Sequence, residues 1–219
     1  MNRFISSIVT FAVISIWSTA ALGAWDFEYG YVHVNQVNAD DHVVDTTNIS
    51  KYSEWQSPPI TYWGPSANDV EATLTKKFEF DASTSAIYTT FSLASFNFPQ
   101  PGYFGSGKGT SSAWASNNGT DWELILDNPM PSGVDSYKTF DGLLPASLTG
   151  SDELWLQIRL WVTQAPNSSY TTAQFNRNTS AGTADVFQLK ADLVPEPSTA
   201  LLLGVGLVAL AMKRRRTRR

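Results

Sequence analysis

The stretch from Glu153 to Val162, ELWLQIRLWV, alternates without a break: Leu154, Leu156, Ile158, Leu160 and Val162 fall on one side, Trp155, Gln157, Arg159 and Trp161 on the other. A helix would scatter these rows around its circumference, whereas a strand sends successive side chains to opposite faces. The wholly apolar row has to leave water, so the segment predicts a strand with one face on a core. No stretch from Ala24 to Val194 shows a convincing helical period, and most patterned segments repeat with period two.

In VEATLTKKFEFDA, Ala72, Leu74, Phe78 and Phe80 share a face and only Lys76 is out of place. Ala86 to Phe98 reads as a further strand, broken by PQPGYFGSGKG. SSAWASNNGTDWELIL reads as two strands around Trp114 and Trp122, joined by a tight turn at Asn118-Gly119, because Asn-Gly supplies the positive φ angles of such turns. Trp25 to Val37 alternates loosely, with Val32 and Val34 on one face and Tyr31, His33 and Asn35 on the other. The polar stretch from Asn38 to Asp69, with Pro58-Pro59 and Gly64-Pro65, reads as loops with at most short strands. DVFQLKADLV supplies a last strand. Many short strands and little helix predict an all-β sandwich or barrel.

Both ends differ from this body. Asn2 and Arg3 precede an apolar run from Phe4 to Trp17, and the small residues of STAALGA follow, which is the order of a secretory signal peptide with cleavage after Gly23 or Ala24. The run is short for a retained membrane anchor, the other reading of this segment. The domain plan is therefore 1–23 signal peptide, 24–193 β-sandwich and 194–219 tail. Only 8 Lys and Arg against 19 Asp and Glu fall between Ala24 and Val194, a net charge of −11 where the full chain has −5. Such a surface repels phosphate backbones and argues against nucleic acid as a partner. The chain has no cysteine, so packing or bound ions have to hold an exported fold together, and thiolate chemistry is excluded.

The tail reads VPEPSTALLLGVGLVALAMKRRRTRR. Its apolar part, Ala200 to Met212, would span about 20 Å as a helix against a hydrocarbon core of about 30 Å, a marginal transmembrane segment. Lys213 and the arginines behind it hold its end in the cytoplasm, with the body across the inner membrane. Taken alone, these features also suit a simple C-terminal anchor. The order Val194-Pro195-Glu196-Pro197-Ser198, short apolar run, then Lys213-Arg214-Arg215-Arg216 resembles the PEP-CTERM sorting signal. That resemblance implies an exosortase as partner, the membrane enzyme that processes such tails in Gram-negative bacteria making exopolysaccharide. It implies transient anchoring in the inner membrane, recognition at Pro195, Glu196 and Pro197, and a destination at the cell surface or in a biofilm matrix.

A second resemblance concerns the body. Ser116-x-Asn118-Gly119-x-x-Trp122 is similar to the S-x-D-G-x-x-W hairpin of galactose-binding-like jelly rolls, the discoidin and carbohydrate-binding-module type, with Asn118 in place of the aspartate. Asp185-Val186-Phe187 resembles their closing strand. The resemblance implies a single jelly-roll sandwich. Calcium-bearing members join acids of the first strand to an acid of the last, and Asp26, Glu28 and Asp185 stand at the corresponding places. Calcium is thus the one cofactor expected, with three solvated carboxylates as the alternative.

For catalysis the chain offers little. His33 and His42 are the only imidazoles, and no Gly-x-Ser-x-Gly elbow presents a nucleophile. The expectation is a protein that is not an enzyme. Trp155, Arg159 and Trp161 form the most suggestive group: indole faces stack on sugar C–H groups while a guanidinium takes hydroxyls. The same rings could equally be core. Two function classes follow, a glycan-binding module that holds exopolysaccharide, and a structural or adhesive matrix protein without a defined ligand.

Overall fold

The computed structural model describes residues 25–54, 60–98, 109–129, 136–162, 170–175 and 187–194. The segments before Ala24, the Pro195-Glu196-Pro197 motif, the apolar tail and Asp185 lie outside them. The described residues form two antiparallel sheets. One holds β1 (Phe27–Tyr31), β3 (Ile49–Glu54), β4 (Ile60–Pro65), β6 (Thr84–Phe98), β9 (Ser136–Leu143), β11 (Tyr170–Phe175) and β12 (Phe187–Leu193). The other runs in the order β2 (Val43–Thr47), β5 (Glu71–Glu79), β10 (Glu153–Val162), β7 (Gly109–Ser116) and β8 (Glu123–Pro129). From β5 onward the chain crosses repeatedly between the layers, and β12 returns to pair with β1, giving a jelly-roll sandwich. Helix is confined, among the described residues, to two 3-10 turns, Val37–Asp40 and Ala146–Leu148, and no helix among them is long and apolar enough to cross a membrane.

The strict alternation of β10 is realised in full. Leu154, Leu156, Ile158, Leu160 and Val162 are all at most 2% exposed, and each removes about 2 kcal/mol worth of apolar surface from water. They meet Phe91, Leu93, Phe175, Phe187 and Leu189 of the opposite sheet in one core. Strand β6 is the spine of that opposite sheet. Tyr88 to Thr90 are in register with both β12 and β9, and Leu93 to Ser95 with both β11 and β9. A strand has two edges, so β12 and β11 follow one another along one edge and β9 occupies the other. Asn128, fully buried on β8, donates to the Leu93 carbonyl at 3.1 Å and accepts the Ser136 hydroxyl, which ties the two sheets together where β8 and β9 meet.

Three segments depart from the sequence reading. Strand β1 ends at Tyr31 instead of running to Val37, and Tyr31 and Val34 are both buried. The Gln36 side chain accepts the N–H groups of Val32 and His33 at 2.7 and 3.1 Å and turns the chain there, which period two alone could not reveal. The connection after Ser116 is a loop over 117–122 instead of a two-residue turn, and Trp114 faces Leu124 rather than Trp122. Asn118 Oδ1 accepts the N–H groups of Thr120 and Asp121, each at 2.9 Å, while Ser116 Oγ accepts that of Gly119 at 2.9 Å. Gly119 alone of the loop takes a positive φ, +72°. Asn118 also donates to Asp121 at 2.8 Å, which an aspartate at 118 would replace with carboxylate repulsion. The third departure is Lys76, which faces the core with the apolar residues of β5 and is 1% exposed.

Candidate functional site: the outer face of the five-stranded sheet

Burial of one face of β10 sends Trp155, Gln157, Arg159 and Trp161 to the other, where all four are half-buried. The ladder sets their neighbours. Lys77, Thr75, Thr73 and Glu71 of β5 stand opposite Trp155, Gln157, Arg159 and Trp161, and Ser116, Trp114, Ser112 and Thr110 of β7 stand on the other side. Trp114, Thr73 and Thr75 therefore belong to the same surface. Sequence reasoning left Trp114 out, although its place between the small buried Ala113 and Ala115 marks it as outward.

A relay of side chains fixes the middle of this surface. Thr75 Oγ1 accepts from Gln157 Nε2 at 3.2 Å, and Gln157 Oε1 accepts from Arg159 Nε at 2.7 Å. The guanidinium carbon lies 4.7 Å from the centre of the Trp114 ring, whose own N–H donates to Ser112 Oγ at 2.9 Å. Arg159 is thus held over an indole, with its Nε taken by Gln157.

The two expected tryptophans are not equivalent. Trp155 and Trp161 are six positions apart, about 20 Å along a strand, so no single monosaccharide touches both. Trp155 is flanked on both sides. Lys77 Nζ sits 5.1 Å from its ring centre, and the Cβ that Gly119 lacks would lie 3.0 Å from Trp155 Cε2. Its N–H donates to Glu153 at 3.1 Å, and Glu153 pairs with Lys77 at 3.0 Å. The bonds from Trp155 and Lys77 hold the Glu153 carboxyl below its usual range, and the bonds to Glu79 and Glu153 raise Lys77. Trp155 therefore locks the 117–122 loop to the sheet, while Trp161 stands between Glu71 and Thr110, next to Arg159.

The remaining candidates lie elsewhere on the sandwich. Asp26 accepts the backbone N–H of Leu193 at 2.8 Å, and Glu28 lies 3.7 Å from Lys190 Nζ. Asp185, their expected partner, is outside the described residues, and among the described residues no group of three or more His, Asp or Glu side chains could hold a metal ion. His42 packs edge-on to Tyr29 and tilted on Phe78, both at 4.7 Å, with Nδ1 3.1 Å from the Lys77 carbonyl. Burial lowers its pKa. His33 sits in the turn after β1, its N–H held by Gln36. An open depression of about 630 Å3 beside β1, lined by Glu28, Tyr31, Gln36 and Gln188 among others, belongs to the opposite sheet and is separate from the tryptophan face.

Lys76 finds an oxygen cage. Its ammonium donates to the carbonyls of Ala39 at 2.7 Å and Asp41 at 2.9 Å, and it lies 5.2 to 5.7 Å from the ring centres of Tyr31, Tyr29 and Phe187. Desolvation pushes its pKa down to about 8, against the opposing pull of Asp40 and Asp41. The cage fastens the Val37–Asp40 turn to the sandwich.

No curated protein matches this chain. Among solved structures it is similar to TmCBM61 in complex with beta-1,4-galactotriose, at 6% identity and a TM-score of 0.33, covering 77% of this chain and 91% of that one. It is similar as well to the CBM22-1 xylan-binding domain of Xyn10C from Paenibacillus barcinonensis, at 6% identity and a TM-score of 0.35, covering 68% and 86%. A third, the mannan-recognising TmCBM27, has 13% identity and a TM-score of 0.32, covering 76% and 97%. None of these scores carries a ligand across to this chain. Residues 193–216 match the family model of the PEP-CTERM protein-sorting motif, and that motif marks the chain as an exported protein held transiently by its C-terminal region.

Proposed function

We propose that this protein is an envelope or extracellular-matrix component of an exopolysaccharide-producing bacterium, processed by an exosortase near Pro195, Glu196 and Pro197, and that the outer face of its five-stranded sheet holds glycan. One observation carries the second part. The half-exposed surface around Arg159 combines indoles from two strands with a pre-oriented guanidinium and the hydroxyls of Thr73, Thr110 and Ser112. Flat aromatic area beside a few fixed polar groups is what sugar recognition requires. Trp161 supplies the stacking surface, Arg159 and Gln157 the directional bonds, and Trp155 the fixed rim.

The packing of Lys77 and Gly119 against Trp155 favours a second reading, a self-contained surface layer on a structural or adhesive matrix protein. Retention of the full chain on the exopolysaccharide of the producing cells separates the two. Trp161→Ala should lose retention while the melting temperature stays within a few degrees. Unaltered retention would remove the tryptophan face from the binding account, and a collapse in stability would assign Trp161 to structure.

A further inference from the structure

The described cations of this acidic body are satisfied within it, with one exception. Lys51 pairs with Asp40 at 2.6 Å, Lys77 with Glu79 and Glu153, and Lys190 with Glu28. Lys76 is held by two carbonyls, and Lys138 donates to the Asp127 carbonyl at 2.7 Å. Arg159 has neither. Among the described residues its only hydrogen-bond acceptor is Gln157 Oε1, taken by Nε, and no carboxylate pairs with it.

Acidic groups are plentiful, so the missing partner is informative. Glu71 stands opposite Trp161, one same-face position from Arg159, and Asp127 lies two strands away beyond Ser112. Both are exposed, and neither closes on the guanidinium. Among the described residues, nothing takes the Nη edge of Arg159, a planar fork. Trp114 lies under the guanidinium, and Gln157, itself fixed by Thr75, holds its Nε. A flat fork matches a carboxylate with two parallel bonds, which an ammonium cannot reproduce.

We propose that Arg159 determines specificity on this face and selects glycans that carry carboxylates, sugars of the uronic-acid kind, with the carboxylate on the Nη edge and the neighbouring ring on Trp161. Same-face positions on a strand are about 6.6 Å apart, which places the two groups within reach of one sugar residue and its substituent. Glu71 and Asp127 flank the guanidinium with negative charge, so a carboxylate is accepted only at Arg159 and a densely charged polymer is penalised on either side. This inference rests on the glycan reading of the face.

The test uses the full chain with the exopolysaccharide of the producing cells in two forms, native and carboxyl-reduced, the latter having its uronate groups converted to hydroxymethyl on an unchanged backbone. Charge-assisted bidentate bonding predicts at least about tenfold tighter binding of the native polymer. Arg159→Gln should bring the two polymers to the same affinity. Arg159→Lys, which keeps the charge and loses the fork, should recover only part of the preference. Equal binding of both polymers by the unaltered protein would overturn the inference and leave the glycan reading standing. Binding of neither would overturn both. A preference for the native polymer that survives in Arg159→Gln would place the carboxylate elsewhere on the protein.

Discussion

Lys76 makes the stability of this protein depend on pH in an unusual direction. Its pKa falls from the ordinary 10.5 to about 8 on folding, so between those values the unfolded chain holds a proton that the folded chain has released. Stability rises with pH wherever the unfolded state binds more protons. At about 1.4 kcal/mol per pH unit, the gain from Lys76 is about 3 kcal/mol, absent below pH 8 and complete near pH 10.5. The facing groups limit the window. Burial raises Tyr29 and Tyr31, whose unfolded counterparts ionise near pH 10, so above that point they take stability away. His42, lowered by burial, acts only below its unfolded value of about 6.5. Asp40 and Asp41 pull the Lys76 value up and Lys51 pushes it down, both less than burial does. Urea unfolding of the protein followed by tryptophan fluorescence should therefore show stability climbing from pH 8 to pH 10. Lys76→Met matches the volume, takes the ammonium donor from the Ala39 carbonyl and leaves the Asp41 carbonyl with the Tyr29 hydroxyl at 3.2 Å, a loss of about 1–3 kcal/mol for the orphaned group. Relief of the desolvated charge offsets part of that loss at pH 7, and little of it remains at pH 10. The gap between the two proteins should widen by about 3 kcal/mol over that range. Parallel curves would refute the reasoning, since they would mean that the ammonium enters the cage without penalty.

Two further substitutions probe the supports of the sheet face and of the sandwich edge. Gly119→Ala puts a Cβ 3.0 Å from Trp155 Cε2 at a φ of +72° and should cost about 1–2 kcal/mol, with a shift in tryptophan emission as the ring gives way; an unchanged spectrum would argue against Trp155 as the loop's lock. Asn128→Asp keeps the shape but turns a donor into a buried carboxylate facing the Leu93 carbonyl. Denaturation at neutral pH should show a loss of about 3 kcal/mol or more, and a neutral outcome would mean that β8 and β9 meet without it.

How far these features can be read from sequence depends on how much of the pattern each strand must bury. Strand β10 is buried on one face along its whole length, so five apolar positions in alternation identify it. Strand β9 exposes almost all of SYKTFDGL, and with no face to hide it carries no period to detect. Lys76 was visible only as a misfit, because alternation records which way a side chain points and nothing about the carbonyls that receive it. The tryptophan face was legible on β10 alone. Its partners on β5 and β7 come from ladder register, and only that register shows Trp155 enclosed and Arg159 seated on Trp114. The Asn-Gly turn signal finds the right place and the wrong loop, since the Asn118 side chain bonds Ser116, Thr120 and Asp121 instead of its own backbone.

The pairing of β1 with β12 has a mechanical consequence. Phe27 lies opposite Ala191, and Asp26 grips Leu193, so the point where the chain enters the sandwich and the point where it leaves share one corner. The seven steps of chain from Leu193 to Ala200 reach at most about 25 Å, so whatever holds the C-terminal region transiently holds that corner within the same distance. Strand β12 is also an interior strand, with β1 on one side and β6 on the other. Tension drawn through the tail runs along its axis and loads two rows of hydrogen bonds in shear together, so none can be peeled open singly. A body tethered by its C-terminal end, with a load on the far sheet, is thus held by a strand bonded along both edges.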